Sequence, residues 1–215
     1  MPRNISSSNR ASGVNWRAGI EPGVAFAMIV LYIWWLRFHC PYAWVVILAL
    51  MIASHLRERE GFRQLGFRWN ASATLWVVLG LIATSILAIG LICRTFRQVS
   101  WQGACLSVLL YCAWGLVQQY ILNGYFVNRF SDFLPHHTRA VPILAAVCFS
   151  LVHLPNWFLM IVTLAGGYVC ARVYLQNRNL YFLGLAHGVT GFLIYLAVPD
   201  TISHHLYVGP KWFSM

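Results

Sequence analysis

An all-α, polytopic transmembrane bundle of about seven helices, with its N-terminus in the cytoplasm, is what this sequence predicts, on three observations. Of the 215 residues, 60% are hydrophobic and 9% charged, whereas a soluble domain is roughly half apolar and a quarter charged. The apolar residues gather into runs near 22–38, 41–55, 72–93, 104–128, 140–154, 157–175 and 180–198, and one crossing needs about 20 residues. The basic residues stand between the runs and fall unequally on the two sides of the bundle.

Taken in order, residues 1–19 are expected to form a cytoplasmic tail, 20–200 the bundle, and 201–215 a short C-terminal tail. The first sixteen residues carry Arg3 and Arg10 among Ser and Asn, without a short apolar core and small-residue cleavage site, so no cleaved signal peptide is expected. Pro41 and Pro155 mark tight hairpins between the first and second and between the fifth and sixth runs. The charged stretch His55 to Trp69, HLREREGFRQLGFRW, interleaves Arg and Glu with Phe62, Leu65 and Phe67. Either an interfacial amphipathic segment or a plain solvated loop fits it.

An inside N-terminus puts Arg3, Arg10, Arg17, Arg57, Arg59, Arg63, Arg68, Arg129, Arg139, Arg172 and Arg178 on the cytoplasmic side. Arg37, Arg94, Arg97 and Lys211 remain outside. Such asymmetry is what the positive-inside rule requires. The net charge of +10 is therefore read as orienting the chain in lipid, and no nucleic-acid partner is expected. No C-x-x-C pair occurs among the cysteines, which argues against a zinc ribbon or a thioredoxin-like site. The topology puts Cys40 and Cys93 on one side, where a disulfide between them is an open alternative.

The fourth run interrupts its apolar character with Gln118, Gln119 and Asn123. Gln119 and Asn123 are four apart and share a helix face, as do Phe149 and His153 on the fifth run and His187 and Gly191 on the seventh. At 1.5 Å per residue, Gln118, His153 and His187 lie roughly 15, 20 and 10 Å from the cytoplasmic ends of their helices, so convergence on one midmembrane cavity is expected. Polar groups at such depth either join helices by hydrogen bonds or mark a site. Gly166 and Gly167, followed by Cys170 and Ala171, give the small-residue spacing of close helix packing.

The order Gln118-Gln119-x-x-x-Asn123, Phe149-x-x-x-His153, His187-x-x-x-Gly191 resembles the CAAX protease and bacteriocin-processing (CPBP, or Abi) family of intramembrane glutamic proteases. That family's pattern is E-E-x-x-x-R, F-x-x-x-H, H-x-x-x-N. The second block matches in full. Asn123-Gly124-Tyr125 stands where the family often has Arg-Gly-Tyr, His153-Leu154-Pro155-Asn156 resembles the loop after the family histidine, and Leu65-Gly66-Phe67 is similar to an element before the third helix. The resemblance runs from about Arg57 to Ala197. It implies a catalytic set of Gln118, Gln119, Asn123, His153 and His187, and substrate contacts from Phe149, Asn156, Thr190 and Gly191. It further implies no cofactor and no metal, a membrane-anchored protein or peptide as substrate, and an integral position in a bacterial inner membrane.

In the family the first Glu and the second-block His activate a water, and the third-block His and Asn stabilise the oxyanion. Those roles fall by position on Gln118, His153, His187 and Gly191. A carboxamide cannot take the water's proton, which typically costs about 10²- to 10⁴-fold. Glycine offers no side chain to an oxyanion, a loss of about 10²- to 10³-fold. The family's charged Glu and Arg are here the neutral Gln119 and Asn123, two amides that can bond each other. Glu21, Glu58, Glu60, Asp132 and Asp200 are all expected in tails, loops or span ends, so no carboxylate replaces the lost base.

His153 remains as base, with Gln118 positioning the water and His187 or Thr190 donating to the oxyanion. Cysteine chemistry at Cys112 or Cys148, and zinc on His153 and His187, are further alternatives. Two functional readings follow: an intramembrane endopeptidase with an atypical histidine-based site, or a non-catalytic relative that binds a peptide, a lipid-linked substrate or a membrane partner. A small-solute transporter is a third, without a visible broken-helix pair or internal repeat.

Overall fold

In the computed structural model, which describes residues 16–70 and 72–214, every one of the seven apolar runs is helical and no strand occurs among the described residues. Of the tail expected at residues 1–19, residues 1–15 lie outside them. The first run is α1 (Trp16–Leu31), continued by a π-helical turn over Tyr32–Leu36 into α2 (Arg37–His39). Then come α3 (Ala43–Arg57), α4 (Ala73–Cys93) and α5 (Trp101–Gln119). Helix α5 runs on without a break through a π-helical segment, Tyr120–Val127, into α6 (Asn128–Phe133). The rest are α7 (Ala140–Leu151), α8 (Trp157–Gln176), α9 (Leu180–Ala197) and the short α10 (Asp200–Ser203). Ala18–His39, Trp101–Phe133, Trp157–Gln176 and Leu180–Ala197 are long and apolar enough to cross a membrane.

The helices begin where side chains can cap them. Ser100 accepts the Gly103 N–H at 3.1 Å, Asn156 the Leu159 N–H at 3.0 Å, and Asn179 the Phe182 N–H at 2.9 Å, each relieving a donor that the first turn leaves without an intrahelical partner. Between α3 and α4, the stretch His55 to Trp69 leaves the helix after Arg57 and is not a plain solvated loop. Its Leu65 and Gly66 are buried, the Tyr174 hydroxyl donates to the Leu65 carbonyl at 2.9 Å, and Gly66 takes a φ of +94° that favours glycine.

Small residues bring α5 and α9 together. A Cβ on Gly188 would stand 2.4 Å from Cys112 Cα and 2.6 Å from its N, one on Gly184 would stand 2.8 Å from Leu116 Cα, and one on Gly115 2.6 Å from the Gly184 carbonyl oxygen. Backbone thus meets backbone along this seam, the approach that small residues four apart permit between membrane helices. The expected seam on α8 is only half used. A Cβ on Gly167 would touch Phe149 and Ala146, whereas nothing lies within 4 Å of one on Gly166.

Cross-links fix which ends lie together. At one end Arg57 pairs with Glu21, Arg68 Nε donates to the Arg178 carbonyl at 2.8 Å, and Asn70 donates to Asn177 at 2.6 Å. At the other, Arg97 pairs with Asp200 at 2.5 Å and Arg37 donates to the Val208 carbonyl at 2.9 Å. The last residues are not loose there: Asn156 donates to the Ser203 and Tyr207 carbonyls at 3.0 and 3.1 Å. Cys40 is a free, exposed thiol, and the Cys93 side chain lies outside the described part.

Candidate functional site

Gln119 is the last residue of α5 before the π segment and is 1% exposed; Asn123, inside that segment, is fully buried. The Asn123 amide donates to Gln119 Oε1 at 2.5 Å, and Gln119 Nε2 stands 3.0 Å from His187 Nδ1 on α9. Three of the expected residues therefore form one linear relay across the glycine seam. The pair Gln119 and Asn123 remains in register even though the helix widens to π geometry at Tyr120, a local change that is frequent at functional sites.

The relay determines the proton on His187. With Asn123 donating, Gln119 presents its amino group to Nδ1; an amino group only donates, so Nδ1 accepts and the proton sits on Nε2. Reversing both amides would leave the Asn123 amino group without a partner in the core, whereas the orientation described leaves its Oδ1 unpartnered. A buried acceptor without a partner is better tolerated than a buried donor, so the amides are assigned this way.

His153 lies just past the end of α7. Its Nδ1 is 2.6 Å from the Phe149 carbonyl oxygen, which can only accept, so Nδ1 carries the proton and Nε2 is bare. The two histidines thus hold opposite tautomers. Phe149 contacts both, with ring centroids at 5.1 Å from His153 and 5.9 Å from His187, and both imidazoles are half-buried. Chemically, this is a bare ring nitrogen able to take a proton and a ring N–H able to donate one, on either side of one phenyl ring.

The other expected residues are placed differently. Gln118 is half-buried and makes no side-chain hydrogen bond among the described residues. Thr190 is half-buried on α9. Asn156 is fully buried and wholly committed to capping α8 and holding the C-terminal turn. At Gly191 a Cβ would meet the Tyr111 ring at 3.1 Å. Cys112 has its backbone against Gly188 in the seam. No three metal-ligating side chains come together among the described residues.

A second polar cluster, which sequence reasoning missed, lies further along the same helix. Arg129 on α6 is 4% exposed; its Nη2 donates to Glu60 at 2.8 Å and its Nε to Ser54 Oγ at 2.9 Å. Glu60 also takes a hydrogen bond from His55 Nδ1 at 2.7 Å, and Tyr125 of the π segment donates to Glu21 at 3.1 Å. Two carboxylates expected at span ends or in loops therefore sit against the site helix. Burial opposes the charge on Glu60, but the hydrogen bonds from His55 and Arg129 outweigh it and hold the carboxyl at about 2. His55 Nε2 and the Tyr120 hydroxyl are buried here without a partner. Opposite charges just past the second and fourth runs, Glu60 and Arg129, both expected on the cytoplasmic side, were the available signal.

No curated protein and no solved structure matches the chain. The segment that holds the relay and both histidines, residues 100–193, matches the profile of the Rce1-like family, described as Type II CAAX prenyl endopeptidase Rce1-like. At the level of the family, this segment is similar to the CPBP-type intramembrane endopeptidases that its three motif blocks resemble.

Proposed function

We propose that the protein is an intramembrane endopeptidase that works with two histidines and no catalytic carboxylate. The observation that supports this reading is the opposite protonation of the two rings, set by the Phe149 carbonyl on one side and the Gln119 amide on the other. His153 Nε2 takes the proton of a water that Gln118 helps to position. His187 donates its Nε2 hydrogen to the oxyanion, and the amides of Gln119 and Asn123 keep it in that tautomer. The leaving amine then recovers the proton from His153, as a general base turned acid does. The name of the matched family, a prenyl endopeptidase, supports a peptide held beside a lipid anchor as the substrate, and an integral membrane enzyme as its host.

A non-catalytic reading draws on a different observation: the buried carboxylate Glu60 is fully engaged by Arg129 and His55, and the Tyr111 ring takes the room for an oxyanion donor at residue 191. On that reading the same residues hold a peptide or lipid-linked ligand uncut. Purified full-length protein, assayed on membrane-anchored peptides together with His153→Ala and His187→Ala, separates the two. The proposal expects cleavage that falls about 10²-fold or more in each variant. Peptide binding without cleavage by the wild type would leave only the non-catalytic reading.

A further inference from the structure

A cavity of about 490 Å³ opens at the end of the bundle where α5 to α6 stops and α9 starts, away from the histidines. Residues from three distant stretches line it: Arg63, Gln64 and Arg68 from the loop after α3, Asn128 and Ser131 from α6, and Arg178 from the turn before α9. Two acids also border it, Glu60 and Asp132. Both face Arg129, at 2.8 and 3.5 Å, and among the described residues neither is paired with Arg63, Arg68 or Arg178, so the three rim arginines outnumber the two acids.

The rim is held in place by bonds that use only part of its donor capacity. Arg178 Nη1 donates to the Gln64 carbonyl at 2.6 Å and Arg68 Nε to the Arg178 carbonyl at 2.8 Å. The Leu180 N–H ties the loop down at Gly66, 2.8 Å away. Five N–H donors sit on each guanidinium, and carbonyls occupy one on each of these two. Arg63 has no partner among the described residues. Guanidinium forks gathered around a concave site, here two tethered and one untethered, are the arrangement that binds phosphate oxygens bidentately. A mere solvated positive end needs neither the cavity nor the tethered loop.

We propose that this cavity binds a phosphate-bearing group, with Arg63, Arg68 and Arg178 as its ligands. The sources with that chemistry are the headgroup of an anionic phospholipid in the adjoining leaflet and a free phosphate from solution. For the headgroup source, each basic residue near an anionic leaflet adds about fivefold in affinity.

The test uses the full chain in detergent, with binding read by native mass spectrometry and by thermal protection. The probes are short-chain phosphatidic acid, short-chain phosphatidylcholine and inorganic phosphate. Phosphatidic acid should bind in preference to phosphatidylcholine, with about a fivefold loss in Arg63→Gln, and none should bind to the triple change of Arg63, Arg68 and Arg178 to Gln. Protection by inorganic phosphate at similar concentration identifies a free-phosphate site; protection by the lipid alone identifies a headgroup site. Because Arg178 also holds the loop, Arg63→Gln is the decisive variant. Equal binding by wild type and Arg63→Gln, or no discrimination among the three probes, overturns the proposal.

Discussion

One continuous helix serves two polar clusters of opposite character. Around Gln119 and Asn123 every group is neutral, two amides and an imidazole in line; ten residues beyond Gln119, Arg129 gathers Glu21, Glu60, Asp132 and Ser54. The charged cluster sits at the arginine-rich end, where solvent is near and charge is affordable. The neutral one sits deeper, where a lone ion would be costly. The difference teaches that charges gather in opposed groups where solvent is near, whereas deeper in the bundle neutral amides order the polar groups. Neutral amides still orient an imidazole; what they cannot do is take a proton.

Breaking the charged cluster should have the largest effect. Arg129→Met leaves Glu60 buried beside Glu21 without the shared guanidinium, and a loss of about 3 to 5 kcal/mol is expected in denaturant unfolding in detergent. The same cluster sets an acid limit. The Glu60 carboxyl is held at about 2 in the fold, below its ordinary value, so its stabilisation is fully present above about pH 4.5 and disappears as pH falls towards 2. Unfolding followed from pH 7 down to 3 should show a stability drop on the order of a few kcal/mol in the wild type, much reduced in Glu60→Gln. An equal drop in both would detach Glu60 from the acid transition.

The seam between α5 and α9 comes next. Gly188→Ala places a methyl carbon against the Cys112 backbone, which cannot move aside, and should cost about 1 to 3 kcal/mol as well as parting Gln119 from His187. Gly166→Ala, on a face with nothing within 4 Å, is the matched control and should be neutral.

Smallest is the effect on the relay itself. Gln119→Leu frees His187 to take either tautomer and should lower kcat for cleavage about tenfold, roughly 1.4 kcal/mol in barrier, with KM little changed. A matching rise in KM would instead make Gln119 a substrate contact.

The seven runs were legible as helices because apolar residues cluster in them, four being long and apolar enough to cross a membrane, and the ends of α3, α4, α8 and α9 fall within a few residues of expectation. Pairs four apart were legible for the same geometric reason: Asn123 does bond Gln119, and His153 does reach back to the Phe149 carbonyl. What required three dimensions was partner choice between helices. Nothing in periodicity says that Gln119 selects His187, that Glu60 folds back from a loop to Arg129, or that the close seam uses Gly184 and Gly188 instead of Gly166. The π segment was hidden as well, because one extra residue per turn leaves the composition of an apolar helix unchanged. The Tyr111 ring beside Gly191 is likewise a contact between helices, which single-position reading cannot see.

The central claim is that the two histidines are held in opposite tautomers. Nitrogen-15 spectra of histidine-labelled protein near neutral pH, assigned with His153→Ala and His187→Ala, read this directly. The account predicts a proton on Nδ1 and a bare Nε2 for His153, and the reverse for His187. The same tautomer on both rings, or two protonated rings, would contradict it.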